Sequence, residues 1–403
     1  MPVILLAVAV LAAPPLDSAT VARLLTQLKA SDSTVCALAG RALINDGLWH
    51  GRWLTHSLTP MPQPMPTPMP MPGGGGVGIH FDRHDGGHQV DPAVLGAFRA
   101  FVRDENRCVR SIAVRVLGRH GGRGRGAYAL FGSLLRDARP ELREAGAIGL
   151  GELEDPRAIG PLSGALDDAD AAVRVAAAWA LGELEEEAAI DPLARGLRDR
   201  APEVRRTAAW GLGEIEHARA VRPLGSVLND PVIEVRLTAV WALGEIEDAS
   251  AAQALATAAR DRDPRVRQAA AWALGEIESA QGLAVLETLV RDPVPAVRKT
   301  ALWAVGEIEA GAGVATAAAG LKDSDPDVRA LAAWALGEIE DERGVDPLAA
   351  ALRDPEIEVR VAAAWALGEI ESRRAVAALT AAQQDSSSAV RRTARWALRR
   401  IRQ

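Results

Sequence analysis

The stretch AAIDPLARGLRDRAPEVRRTAAWGLGEI, residues 188–215, decides the fold. Its first part sets Ile190, Leu193 and Leu197 at helical spacing. After Asp199-Arg200-Ala201-Pro202, a second set, Val204, Ala208, Gly211, Leu212 and Ile215, falls at i, i+4, i+7, i+8 and i+11. That spacing is one face of a helix. Pro has no N–H to lose at a helix start, and an Asp just ahead of it can accept from the unpaired first donors. The boundary therefore predicts two short helices, A and B, joined as a hairpin. Neither helix can bury its apolar face alone, so such hairpins have to stack on one another.

Working outward, the same stretch recurs. Trp179, Trp210, Trp241, Trp272, Trp303, Trp334, Trp365 and Trp396 are spaced by 31 residues throughout. Two further columns run in phase: Asp137, Asp168, Asp199, Asp230, Asp261, Asp292, Asp323, Asp354 and Asp385, and six residues after each an Arg, from Arg143 to Arg391. Asp104 and Arg110 continue the pattern upstream of a small Gly/Arg insertion, Gly121 to Gly126, and Thr34 to Leu43 reads as a degenerate first unit. The expected fold is all-α: an α-solenoid of about eleven 31-residue helical hairpins, stacked at the usual interhelical distance into a curved rod of roughly 100 Å.

These units resemble HEAT repeats of the short, phycobilisome-lyase type, whose mark is V-R-x-x-A-A-x-A-L-G on helix B. It reads here as Val204-Arg205 through Ala208-Ala209-Trp210-Gly211-Leu212-Gly213, and as Val266-Arg267 through Ala269-Ala270-Ala271-Trp272-Ala273-Leu274-Gly275. The resemblance covers about three-quarters of the chain. It implies a ladder between repeats made by the Asp and Arg columns, and it places helix B on the concave side. It says little about function, because the same repeat builds bilin lyases, di-iron hydroxylases and plain binding scaffolds.

If the Val, Ala, Leu and Ile positions of helix B face the core, the residue two after Val, the Trp and the Glu four after Trp share another stripe, since i, i+4 and i+8 lie nearly above one another. On the resemblance, that stripe alternates Trp179, Trp210, Trp241, Trp272, Trp303, Trp334 and Trp365 with Glu183, Glu214, Glu245, Glu276, Glu307, Glu338 and Glu369 along a concave surface. Packing of each indole against the small residues of the neighbouring B helix, as a spacer, stands beside that reading. Glu214, Glu216 and their equivalents occupy the carbonyl end of helix B, which disfavours negative charge by a few tenths of a kcal/mol each, so a compensating cation is expected. It is either internal, such as Arg157, Arg219, Arg343 or Arg373, or a partner's. An aromatic and acidic groove suits a protein or peptide with basic segments, through ion pairs and cation–π contacts. In the last unit Arg400 takes the Glu position among Arg391, Arg392, Arg395, Arg399 and Arg402, as a charged cap would.

The whole chain bounds these readings. Of 403 residues, 48% are hydrophobic and 25% charged, with 53 acidic against 46 basic, which excludes collagen-like, wholly disordered and integral-membrane classes. A net charge of -7 with only three Lys gives no basic stripe for a phosphate backbone, so no nucleic acid is expected, and a monomer is. The apolar run Val3 to Ala13 before Pro14-Pro15 reads as an export signal over residues 1–13, too short to span a bilayer, and sets an exported, periplasmic or extracellular location against a cytoplasmic one. Export would put Cys36 and Cys108 where they could pair, although two unpaired core cysteines is the favoured expectation.

Residues 16–44 are read as the degenerate first repeat, 45–90 as a disordered Pro/Met/Gly/His-rich insertion, and 91–403 as the solenoid. In the insertion, His80, His84 and His88 with the Met-Pro tract are candidate copper ligands, with an undirected loop as the plainer reading. No other metal and no cofactor is expected. The sequence has no His-Glu pair, H-E-x-x-H, G-x-S-x-G or P-loop, and His217 is alone within the regular array, so a non-enzymatic scaffold is favoured over a lyase- or hydroxylase-type enzyme.

Overall fold

The structure, a computed structural model, describes residues 18–29, 92–121 and 125–402. All regular structure among them is helical. The chain divides into two compact units, residues 1–211 and 212–403.

Most repeats open with a short 3-10 turn that runs straight into helix A and is followed by a 13-residue helix B, whereas helix Ala251–Ala258 follows Ser250 directly. In the first unit Glu187–Ala189 leads into Ile190–Gly196, and Ala171–Glu183 is a B helix. In the second, Ala280–Gly282 and Leu283–Leu289 precede Pro295–Glu307. The starts of helix B are set as the sequence predicts: Pro140, Pro264, Pro295 and Pro326 occupy the first turn, and the Asp170, Asp263 and Asp325 side chains accept from the first free amides.

The core is the apolar face read from the spacing. Val204, Ala208, Val235, Val266, Val297, Val328 and Val359 are fully buried, as are Leu212, Leu243, Val305 and Leu367. Within each unit consecutive B helices pack side by side, Pro140–Glu152 on Ala171–Glu183 and Pro326–Glu338 on Ile357–Glu369. The architecture is an α-solenoid.

The ladder of Arg and Asp ties neighbouring repeats. Arg267 donates from Nε and Nη2 to the two oxygens of Asp292 at 2.6 and 2.9 Å, while its Nη1 donates to the Asp261 carbonyl at 2.9 Å. Arg143 and Arg174 do the same to Asp168 and Asp199 in the first unit, and Arg236, Arg298, Arg329 and Arg360 to Asp261, Asp323, Asp354 and Asp385 in the second. Each such Asp also accepts the amide two residues on, as Asp292 does from Val294. Asp168 is held below the ordinary carboxylate range by the Arg143 hydrogen bonds, against the opposing effect of burial.

Two expectations fail near the first unit's start. Arg110 keeps the clamp on its own loop, donating to the carbonyls of Asp104 and Glu105, yet grips no ladder Asp. Asp137 lies further along the chain than the regular step of 25 and is taken by Arg103 at 2.8 Å. The Gly/Arg insertion has thus shifted the register, and burial lowers the Arg110 pKa. Cys108, expected as an unpaired core residue, is disulfide-bonded. Cys36, residues 1–17 and the segment 45–90 with His80, His84 and His88 lie outside the described residues.

Candidate partner-binding surface

The Trp and Glu of each B helix are four residues apart and share a stripe, as expected, but the structure divides their roles. Each indole lies across the glycine of the preceding B helix. A Cβ on Gly244 would come 3.0 Å from Cζ3 of Trp272, and one on Gly275 or Gly306 would come 2.6 Å from Cζ3 of Trp303 or Trp334. Gly151 with Trp179 and Gly182 with Trp210 repeat the arrangement in the first unit. Trp179 and Trp334 are buried, whereas Trp210, Trp241, Trp272, Trp303 and Trp365 are half-buried. The indoles therefore fill space between adjacent B helices, and none is an exposed ring. Of the two arrangements weighed for the indoles, packing against the small residues of the neighbouring B helix is the one present, because glycine leaves a groove that an indole fills.

The carboxylates remain accessible. Glu183, Glu214, Glu245, Glu276, Glu307, Glu338 and Glu369 are all half-buried and end their helices. Burial pushes Glu276 above the ordinary range, and Glu245, Glu247, Glu307 and Glu278 push it further. Glu338 is raised in the same way by burial and then by Glu307, Glu309, Glu369 and Glu340. Glu307 is raised by burial and by Glu278 and Glu309, against a hydrogen bond from the Trp303 indole. Two residues beyond each helix-ending Glu stands another, exposed one. Glu154, Glu185, Glu216, Glu247, Glu278, Glu309, Glu340 and Glu371 have φ between 48° and 52°, the left-handed conformation that usually falls to glycine after a helix. Of the arginines proposed to compensate these rows, Arg157 and Arg343 turn instead onto Asp155 and Asp341, two residues before each. His217 is structural as well, its Nδ1 accepting the Arg219 amide at 3.1 Å.

Three residues escaped the sequence reading. Glu152 stands 31 residues before Glu183 and belongs to the same column. It is buried and receives Arg115 at 2.7 Å and Arg119 at 2.8 Å. The Arg115 guanidinium also lies 5.5 Å from the Trp179 ring centre. In the second unit Arg400 repeats the pattern: it bonds Glu369 at 2.8 Å and Glu371 at 3.0 Å and lies 5.3 Å over Trp396. The period could have found Glu152; Arg115, in a helix without the Trp signature, carried no such sign.

The family model described as HEAT repeats matches residues 128–201, 192–262, 254–319 and 314–399. The chain belongs to the HEAT-repeat family. This HEAT-repeat protein is similar in fold to importin beta, at 15% identity over 76% of this chain and 51% of that one with a TM-score of 0.55. It is likewise similar to the karyopherin Kap121p bound to the extreme C-terminus of the protein phosphatase Cdc14p, at 14% identity over 77% and 41% of the two chains with a TM-score of 0.53. It thus spans about half, or less, of the length of these two relatives. An engineered protein matches at 22% identity over 77% of this chain and 99% of that one, with a TM-score of 0.43. No curated protein matches the sequence. Among the described residues, no helix of this HEAT-repeat protein is long and apolar enough to cross a membrane.

Proposed function

We propose that this HEAT-repeat protein is a non-enzymatic scaffold that binds a polypeptide with basic segments along its rows of helix-ending glutamates, with the indole edges beside them. One observation carries the reading. At two places the chain's own arginine, Arg115 on Glu152 and Arg400 on Glu369, meets a carboxylate of this column and an indole together. A guanidinium can satisfy both, by charge-assisted hydrogen bonds and by the ring face. Glu276, Glu307 and Glu338 form no ion pair among the described residues and sit under mutual repulsion, which a partner's Arg or Lys would relieve.

The V-R-x-x-A-A-x-A-L-G motif supports placing the repeats with the short, phycobilisome-lyase type. The disulfide at Cys108 supports an exported location, since such bonds persist in oxidising compartments.

A fluorescent oligo-arginine peptide, titrated into the full chain and followed by anisotropy, tests the proposal. Binding is expected to weaken at least tenfold in the triple variant Glu276→Gln, Glu307→Gln, Glu338→Gln, which retains shape while removing charge. Equal binding by the variant overturns the reading.

A further inference from the structure

The last described arginine of the ladder, Arg391, keeps only half of its bonds. Its Nη1 donates to the carbonyls of Asp385 and Ser386 at 2.6 and 2.8 Å, as the other ladder arginines do in their own loops. In Arg298, Arg329 and Arg360 the Nε and Nη2 edge then takes both oxygens of an aspartate at 2.7 to 3.1 Å. At Arg391 that edge meets no carboxylate among the described residues, although the same two carbonyls hold the guanidinium. A planar fork so restrained loses little freedom on taking a carboxylate.

The surrounding face is altered in a matching way. Gly368 receives the Trp396 ring, its added Cβ falling 2.5 Å from Cζ3, and Ala364 is buried on the same helix. One period on, these two positions are Arg399 and Arg395, both exposed. The seat for a further indole is therefore gone from helix Ser388–Ile401. With Arg392 and Arg402, also exposed, they follow a spacing of three, four and three residues, which is a single helical stripe.

We propose that this basic face binds an acidic polypeptide segment, with an aspartate of the partner seated in the Arg391 fork. Aspartate fits better than a free anion because each ladder carboxylate is presented from a turn in which it also accepts its own chain's amide, as Asp323 does from Asp325 at 2.9 Å. The site differs in charge and in residues from the glutamate rows, so each proposal can fail without the other.

The probe is a labelled oligo-aspartate peptide titrated into the full chain, with an oligo-asparagine peptide as control. The aspartate peptide should bind, the asparagine peptide should not, and Arg391→Lys should weaken binding about tenfold, because lysine keeps the charge and loses the two-point grip. Arg399→Glu, at an exposed position, should abolish binding and keeps the test decisive should Arg391→Lys fail to fold. Unchanged affinity in Arg399→Glu, or in folded Arg391→Lys, overturns the proposal, as does tighter binding of a single-stranded oligonucleotide of equal charge.

Discussion

A Cβ placed on Gly306 would lie 2.6 Å from Cζ3 and 3.0 Å from Cη2 of the Trp334 indole, so glycine and tryptophan of successive repeats form one packing unit. The pair explains two features of the sequence at once. Glycine in a helix interior costs about 1 kcal/mol relative to alanine, and it recurs because a larger residue would displace the ring. The ring, in turn, is buried enough at Trp334 that its Nε1 has no acceptor, a cost that shape-matching has to outweigh.

Gly306→Ala should therefore destabilise the protein by about 1 to 2 kcal/mol, overpacking exceeding the gain in helix propensity. Gly164, in helix Ile159–Ala165, has nothing within 4 Å of an added Cβ. There the same substitution should stabilise by up to about 1 kcal/mol. Urea unfolding of the two variants decides: stabilisation of both would show that propensity alone governs.

The ladder is the second packing device, and its worth depends on burial. The Asp292 side chain is 6% exposed and that of Arg267 14%. Asp292→Asn leaves the guanidinium without its charge partner and should cost about 3 to 5 kcal/mol. Asp263 pairs locally with Arg265, whose side chain is 49% exposed. Asp263→Asn keeps a competent helix cap and should cost under about 1 kcal/mol. Equal losses in the two variants would make the ladder no more than surface charge.

How far the sequence could be read follows from the range of each interaction. The period of 31, the apolar face of Val266, Ala270 and Leu274, and the Arg267–Asp292 step all follow from spacing within or between neighbouring repeats, and all appear in the structure. The fate of the indoles was not legible, because the angle of the Trp303 ring depends on how closely Gly275 lets the preceding helix approach. The partners of Glu152 were hidden for a similar reason: Arg115 lies in a helix whose register had slipped at the Gly/Arg insertion, so no column pointed to it. Trp and Glu share one stripe of helix B, while the two residue types face different neighbours.

A second cost is repeated at the helix ends. Glu278 has φ of 48°, a conformation that costs an ordinary L-residue about 1 to 2 kcal/mol. Glu278→Gly should raise stability by about 1 kcal/mol, the backbone relief exceeding the entropy glycine loses on folding. Glu278→Gln separates the two contributions, since it removes one of the charges that, after burial, raise Glu276, and leaves the backbone strained. Calorimetry showing Glu278→Gly no more stable than Glu278→Gln would mean that the strain is not felt.

Opposed carboxylate shifts should give the protein a stability maximum on the acid side of neutrality. Glu276, Glu307, Glu338 and Glu369 have pKa values raised above 4.5, first by burial. A carboxyl so raised favours folding when protonated, and that contribution is lost as pH rises through the folded-state value. Asp168 and Asp385 are lowered below 3.8, first by hydrogen bonds from Arg143 and Arg360, so their contribution is present above that value and disappears as pH falls through the folded-state one. Lowering the pH from about 7 should thus raise the Tm while the glutamates protonate, and then lower it steeply once the ladder aspartates do. The triple variant Glu276→Gln, Glu307→Gln, Glu338→Gln should melt higher than the wild type at neutral pH, show a flattened acid rise, and keep the acid collapse. A wild-type Tm that falls steadily from neutrality downward would show that the glutamate rows carry no strain, and with it would go the electrostatic pull on a basic partner.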